Sequence, residues 1–179
     1  PRNIEGPLRN SYEVDRWLLS DLDMAAWEEV ARDVAGRLTD DVIERALRQL
    51  PPEWFAIDGA EKIAALKTRR AGLVDYALRA YREEAKKVDV HATDREETVT
   101  VSRAPDDSLD VSITVAGSAT PYYRRRFLPD ETDEVRIYLH AGNDRVTRTG
   151  QAGGPILVRV IGGGDTDVVD DSQSGGTDV

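Results

Sequence analysis

Histidine is the side chain best suited to proton transfer near neutral pH, and the chain of 179 residues contains two, His91 and His140. Asp94 follows the first and Asp144 the second, as in a base that is oriented by a carboxylate. A hydrolase of that kind also needs an activated nucleophile, and Gly117-Ser118 lacks the second glycine of a nucleophile elbow. The alternative places His91 at a helix-to-strand junction and His140 at an exposed strand position. The sequence favours this alternative, so no catalytic residue and no enzyme activity are predicted.

Arginine is concentrated in residues 122–127, which read Tyr-Tyr-Arg-Arg-Arg-Phe. Guanidinium groups pair bidentately with oxyanions, so such a strand can carry an anion or phosphate site. Alternate residues of a strand share a face, and the candidate anion-binding set is Arg124, Arg126, Arg136 and Arg159. The alternative is a solvated outer face on which these arginines pair with Asp and Glu of neighbouring strands. The second interpretation is favoured.

A glycine-rich acidic turn occupies residues 161–170, Ile-Gly-Gly-Gly-Asp-Thr-Asp-Val-Val-Asp. It resembles the calcium-binding nonapeptide G-G-x-G-x-D-x-U-x, with Asp165 and Asp167 as candidate ligands, although Asp165 stands where a glycine belongs. A partial copy, residues 142–146, lies 23 residues upstream. The alternative is a pair of tight turns whose Asp side chains cap local backbone amides. That alternative is favoured, so we expect at most weak, millimolar calcium association and no cofactor.

The elements that must position these residues fall into two halves. Before residue 90, apolar residues recur at helical spacing. The first predicted helix runs from Met24 to Leu38, with Ser20, Asp21 or Asp23 as its N-cap. The second runs from Val42 to Leu50, after Thr39-Asp40, and is ended by Pro51-Pro52. The third is longer, is opened by the capping-box pair Asp58 and Glu61, and has a weak point at Gly72. Ser11 to Leu19 is a candidate for a short fourth helix.

After residue 90 the period becomes two. Strands at 98–102 and 109–115 form a predicted hairpin around the turn 104–108, followed by strands at 122–128, 135–139 and 156–160 and short pieces near Val146 and Val168. The predicted class is α+β, with an N-terminal helical unit followed by a mainly antiparallel β-sandwich or open barrel-like sheet. The predicted domains are a helical unit at 1–90, a β-rich domain at 91–169 and a linker-like tail at 170–179.

Composition excludes several classes of protein. The chain has no cysteine, which excludes disulfides, thiolate zinc sites and iron–sulfur clusters. Its net charge is −10, and only residues 120–160 are basic, with seven basic against five acidic groups. Nucleic-acid binding is therefore disfavoured, because a phosphate-backbone binder needs a strongly basic surface. No apolar run approaches the length of a membrane span, so direct membrane insertion by this segment is not expected.

Eight short stretches, taken in order, resemble a soluble region of large bacterial outer-membrane proteins of the surface-antigen type. These stretches are residues 36–43, 50–53, 66–70, 88–94, 126–132, 135–139, 142–144 and 158–163. In that family the region precedes a C-terminal β-barrel, and in some members it accompanies a metallophosphoesterase domain. The stretches carry packing and turn signatures, and the resemblance brings no catalytic residue with it.

The resemblance implies a non-catalytic structural or interaction domain of a larger cell-envelope protein, on the periplasmic side of the outer membrane. The implied partners are the membrane β-barrel or other domains of the same polypeptide, with a homodimer as a further expectation. The alternative function is an accessory anion-, phosphate- or calcium-binding domain of an envelope hydrolase. A full-length protein with this sequence, in contrast, is expected in the cytoplasm.

Overall fold

The computed structural model describes residues 12–151 and 153–174. Within these ranges the chain forms two compact units. One unit, the helical unit, is Asp23–Tyr81. The other, the sheet unit, combines the segment up to Leu22 with everything described from Arg82 onward. The predicted boundary at residue 90 therefore differs from the observed one, which falls inside a helix, and the first short helix belongs with the sheets.

Four helices of the described part of the chain build the helical unit and lead out of it. They are α2 (Met24–Arg37), α3 (Asp40–Leu47), α4 (Pro52–Ala71) and α5 (Leu73–Glu84), and the short α1 (Tyr12–Leu18) precedes them in the other unit. One of the predicted N-caps of α2 is confirmed, since Asp23 accepts from the Ala26 N–H, and α3 is capped in the same way by Thr39, which accepts from the Val42 N–H. Across the described ranges, no helix combines the length and the apolar character needed to cross a bilayer.

The start of the long helix differs from the prediction. α4 begins at Pro52, so Asp58 and Glu61 lie inside it and do not form a capping box. Proline is tolerated in the first helical turn because the amide it lacks has no intrahelical partner there. The preceding helix α3 ends at Leu47, three residues earlier than the predicted Leu50, so Pro51-Pro52 begins α4 and does not itself end α3. The weak point at Gly72 is confirmed, because α4 ends at Ala71 and α5 begins at Leu73.

Ion pairs fasten α3 to α4. Lys67 lies 2.8 Å from Glu44 and 3.0 Å from Asp40, and Arg70 lies 2.7 Å from Asp40. Arg70 also donates to the Leu38 carbonyl over 2.7 Å, which caps the end of α2. An apolar cleft of about 230 Å³ lies between these helices, lined by residues such as Val42, Leu47, Leu66 and Leu73.

Eight strands, counted over the described residues, form two sheets. The strands are β1 (Lys87–His91), β2 (Glu97–Arg103), β3 (Leu109–Val115), β4 (Tyr123–Phe127), β5 (Glu134–Tyr138), β6 (Arg145–Gly150), β7 (Leu157–Ile161) and β8 (Val168–Ser174). One sheet has the order β1-β5-β7 and the other β4-β3-β2-β6-β8. Helices followed by sheets confirm the α+β class, and the β2–β3 hairpin is confirmed with its turn at 104–108.

The strand pairing differs from the predicted mainly antiparallel arrangement. Only β2–β3 and β3–β4 are antiparallel, whereas β1–β5, β5–β7, β2–β6 and β6–β8 are parallel. The chain alternates between the sheets, so β1–β2, β5–β6 and β7–β8 are three successive coils of a short parallel β-solenoid. Glu134 pairs with Leu157 and Arg145 with Val168, which makes the step between the last two coils 23 residues. The β3–β4 hairpin is inserted between the first two coils.

An apolar core lies between the two sheets. Its fully buried members include Val90 and Ile137 from one sheet and Val99, Val111 and Val146 from the other. The last strand reaches into the predicted linker: residues 170–174 belong to β8 and pair in parallel with β6. Residues 175–179 of the predicted tail lie outside the described residues.

Candidate functional site

The turns that join the two sheets stack on one another through carboxylates. Glu97, Asp144 and Asp167 take equivalent places at the start of the second strand in the three coils, Glu97 as the first residue of β2 and the two aspartates directly before β6 and β8. The Glu97 N–H donates to Oδ1 of Asp144 over 2.8 Å, and the Asp144 N–H donates to Oδ1 of Asp167 over 3.2 Å. The side chains of Asp144 and Asp167 therefore each accept a backbone amide of the preceding coil. We call this row the turn ladder.

Further hydrogen bonds in the turns repeat the same step of 23 residues. The Gly142 N–H donates to Asp165 and the Thr166 N–H to the Asn143 side chain. Gly163 packs so close to His140 that a Cβ would lie 1.2 Å from the His140 carbonyl oxygen, so only glycine fits. The two calcium candidates, Asp165 and Asp167, thus accept backbone amides, and except for the Gly163 amide these belong to the preceding coil.

Metal binding by these turns stays a prediction. Within residues 12–151 and 153–174, no group of three or more His, Cys, Asp or Glu side chains is arranged to hold a metal ion. Asp167 uses one carboxylate oxygen for the Asp144 N–H and the other for the Gly163 N–H, at 3.2 Å each. A calcium ion at this turn would have to replace those bonds with ion contacts.

Two acids of the turn ladder are buried. Glu97 is 1% exposed, and it accepts hydrogen bonds from the Thr93 N–H, the Thr93 hydroxyl and the Tyr122 hydroxyl at 2.7–2.8 Å. Asp144 is 2% exposed, and its Oδ2 has no hydrogen-bond partner among the described residues. Burial raises the pKa of Asp144, and the nearby Asp167 and Glu97 charges raise it further, against the Glu97 amide bond that lowers it.

The two histidines contact each other, and neither is bonded to the aspartate that follows it in sequence, Asp94 or Asp144. His91 Nδ1 and His140 Nε2 are 2.9 Å apart. His91 also stacks on Tyr138, with ring centroids 4.6 Å apart. The ring centroid of Trp17, in α1, lies 5.5 Å from that of His91. Burial lowers the pKa of His91, and the adjacent His140 lowers it further. Sequence spacing gave no signal of this pair, because it depends on β1 lying beside β5.

The four candidate arginines do not converge on one site. Arg124 and Arg126 lie on the outer face of β4, as predicted, and Arg126 is bound by Asp106 and Ser108 at 3.1 and 2.6 Å. Arg136 and Arg159 belong to the other sheet, where both hold Glu134, at 3.1 and 2.6 Å. Arg126, Arg136 and Arg159 are thus engaged by neighbouring carboxylates, and the structure does not assemble an anion site from all four arginines.

A polar contact that the sequence did not indicate fastens the N-terminal segment to the sheet. The Ser20 carbonyl accepts from the Tyr123 hydroxyl at 2.9 Å and from Arg125 at 2.6 Å. Arg16 of α1 lies 3.9 Å from Glu84, and both side chains are buried. Burial raises the pKa of Glu84 to about 7, although the Arg16 charge opposes that shift. Carbonyl groups carry no sequence signal, so only the fold reveals this attachment.

Comparison with known proteins adds no relative. No family model, no curated protein and no solved structure matches the chain. In the geometry of the site itself, buried carboxylates and close glycine contacts hold successive coils together.

Proposed function

We propose that the chain is a non-catalytic structural and interaction module of a larger bacterial cell-envelope protein, on the periplasmic side of the outer membrane. Its sheet unit serves as a rigid stack of β coils on which neighbouring parts of the same polypeptide are mounted. The surface-antigen resemblance supports the cellular setting and adds a membrane barrel as one such neighbour.

The turn ladder is the observation that carries the proposal. A catalytic carboxylate needs a face that a substrate can reach. The ladder carboxylates instead accept backbone amides, at Glu97 N to Asp144 and Asp144 N to Asp167. Solenoids gain their stability from such contacts between neighbouring repeats, so this use of polar groups supports a scaffold role.

The second support is the way in which the N-terminal segment is held. Ser20 is fastened by Tyr123 and Arg125, and Arg125 lies 4.6 Å over the Phe127 ring. The two bonds to the Ser20 carbonyl are long-range contacts that fix a connecting segment against a sheet. A module that transmits position between domains needs its entry segment fixed in this manner.

Turnover assays and hydrogen exchange test the proposal together. Wild type, His91→Ala and Asp167→Asn are assayed for phosphoester and ester hydrolysis, and background rates are expected for all three. Amide exchange of the wild type should be slowest at Val135 and Ile137 in the middle coil, because these residues are fully buried. Turnover well above background that either substitution abolishes would overturn the proposal.

A further inference from the structure

The two ends of the solenoid are not equivalent. At one end the β3–β4 hairpin extends the five-stranded sheet beyond β2. At the other end β7 and β8 are both terminal strands, and within the described ranges no strand pairs with their far edges. Both sheets therefore present unpaired backbone groups at the same end, which is the usual template for strand addition. We call this end the β7–β8 end.

The core is uncovered at the β7–β8 end. Val99, Val146 and Val169 hold the same inward position in the three coils, and their exposed fractions are 0%, 0% and 49%. In the other sheet, Val158 and Val160 are only partly buried, although their neighbours in β5 are fully buried. The apolar row that fills the solenoid thus continues to its last coil and meets nothing there that the structure describes.

The hydrogen bonds of the turn ladder also run in one direction, toward the β7–β8 end. Each backbone N–H of the row donates to the acid of the following coil, from Glu97 to Asp144 and from Asp144 to Asp167. The Asp167 N–H is the next donor of that row. A following coil with Asp at the equivalent place would extend the ladder by one step of the same geometry.

Charge decides what kind of strand fits against β8. Within the sheet, the acidic β8 lies beside the basic β6, with Arg145 2.8 Å from Asp170 and Arg148 3.7 Å from Asp171. Residues 161–179 contain five acidic and no basic groups. Two copies that met at this end would place like charges opposite one another, which is destabilising, whereas a basic strand would repeat the β6–β8 pairing.

We propose that the β7–β8 end is the docking surface for a fourth coil, supplied by a neighbouring domain of the same polypeptide. The fourth coil pairs in parallel with β7 and β8, carries Asp at the turn-ladder position and has a basic second strand. This inference rests on the proposed function and names the contact through which the module holds its neighbour.

An appended coil tests the inference. A second copy of residues 134–156, the basic coil, is fused directly after Val179, which keeps the spacing of 23 residues. The chain has no native cysteine, so Val169→Cys and Val168→Cys give single-site thiol labelling. Val168 is the matched control, because it is exposed to a similar extent, 44%, but its equivalent in the middle coil, Arg145, also stays exposed.

Docking should slow labelling of Val169→Cys by at least about tenfold and that of Val168→Cys by less than about twofold, because only the inward position becomes buried. Amide exchange at Leu157–Ile161 should slow in alternate residues of the extended chain. An appended copy of residues 157–179, the acidic coil, should protect neither cysteine.

Several outcomes would overturn the inference. These are equal labelling of Val169→Cys with and without the basic coil, protection by the acidic coil as strong as by the basic one, or a dimer of the unextended chain that already protects Val169→Cys. Light scattering of the unextended chain identifies the last case. None of these results bears on the turnover assays, so failure of the docking surface and failure of the proposed function are distinguishable.

Discussion

The Glu97 N–H donates to Oδ1 of Asp144 over 2.8 Å, although 47 residues separate the two. The separation is one coil plus the inserted β3–β4 hairpin, so the bond joins the first coil to the second across the insertion. Asp144 is buried and offers Oδ1 as the acceptor, while Oδ2 has no hydrogen-bond partner among the described residues. One carboxylate therefore both holds the first coil and carries an unfavourable buried charge.

Asp144→Ala should lower the free energy of unfolding of the sheet unit by about 1–3 kcal/mol, the cost of leaving the buried Glu97 amide without its acceptor. Asp144→Asn keeps an acceptor oxygen and removes the charge, so it should stay close to wild type at pH 7. Urea denaturation followed by circular dichroism measures both. Asp165→Ala, at an exposed turn residue, is the control and should cost less. An alanine variant as stable as wild type would contradict the ladder's role.

The pH dependence of the same pair gives an independent check. The pKa of Asp144 is raised in the folded protein, so the folded state binds its proton more tightly than the unfolded state. This contribution to stability is present below the ordinary pKa of 3.8 and is lost as the pH rises through the folded-state pKa. The stability of Asp144→Asn should therefore decline less than that of wild type over this window.

Glu84→Gln should stabilise the sheet unit at high pH. Burial raises the pKa of Glu84 to about 7 from 4.5, so wild-type stability falls as the pH rises between these values. At pH 8 the glutamine variant should exceed wild type by on the order of 1–3 kcal/mol, whereas at pH 4 the two should agree. Thermal unfolding at both pH values measures the difference.

Glu83→Gln is the matched control, because Glu83 is an exposed neighbour that binds Lys86 at 2.8 Å. It should change stability little at either pH. If Glu84→Gln instead loses stability at pH 8, the Arg16 ion pair outweighs the desolvation of Glu84, and the raised pKa is not the controlling effect.

Much of the fold could be predicted from residue periodicity. The stripe from Met24 to Leu38 matches α2, the break at Gly72 is present, and the alternating residues of 98–115 form the β2–β3 hairpin. These are local signals: an N-cap, a turn and a period of two or 3.6. An element can be predicted from the sequence when the residues that form and end it lie within a few positions of one another.

The parallel pairing could not be predicted in the same way. Alternation at Val135 and Ile137 is the same for a parallel and an antiparallel neighbour, and short strands with frequent turns favoured the antiparallel interpretation. The separation of 23 residues between the turns at Gly142 and Asp165 is present in the sequence, where it resembles a weak calcium motif. In the fold this separation is the coil repeat, because β5 pairs with β7 at the same spacing.

The pKa of His91 should depend on the neighbouring His140 side chain. The pKa of His91 should lie below its ordinary value of 6.5, because burial and then His140 disfavour its charge. His140→Gln removes the second cause, so the His91 pKa should rise but remain below 6.5. The chain has only two histidines, so NMR titration of the imidazole protons resolves both. No change in the His91 pKa in this variant would contradict the observed contact.

The free energy of unfolding should fall as the pH drops below the ordinary histidine pKa of 6.5. A histidine whose pKa is lowered in the folded state contributes stability that is lost as the pH falls below the unfolded value. The loss should be smaller in His140→Gln than in wild type between pH 7 and pH 5. Chemical denaturation at the two pH values gives the comparison.

Phosphate and sulfated glycans should not raise the thermal unfolding temperature in a salt-sensitive manner. Arg126 is held by Asp106, and Arg136 and Arg159 are held by Glu134, so an anion would have to displace existing carboxylates. A thermal-shift screen at low and high salt measures the response. A salt-sensitive increase that is lost in Arg136→Gln/Arg159→Gln would establish an anion site on the three-stranded sheet.

Calcium should associate only weakly, with millimolar affinity at most, as is usual for loosely organised acidic loops. The two oxygens of Asp167 are occupied by the Asp144 and Gly163 amides, and Asp165 accepts from Gly142. A bound ion would replace these bonds and weaken the contact between the second and third coils. Calorimetric titration decides the question. Micromolar affinity that disappears in Asp165→Asn/Asp167→Asn would mean that the turns are a calcium site and that the ladder geometry is its ion-free form.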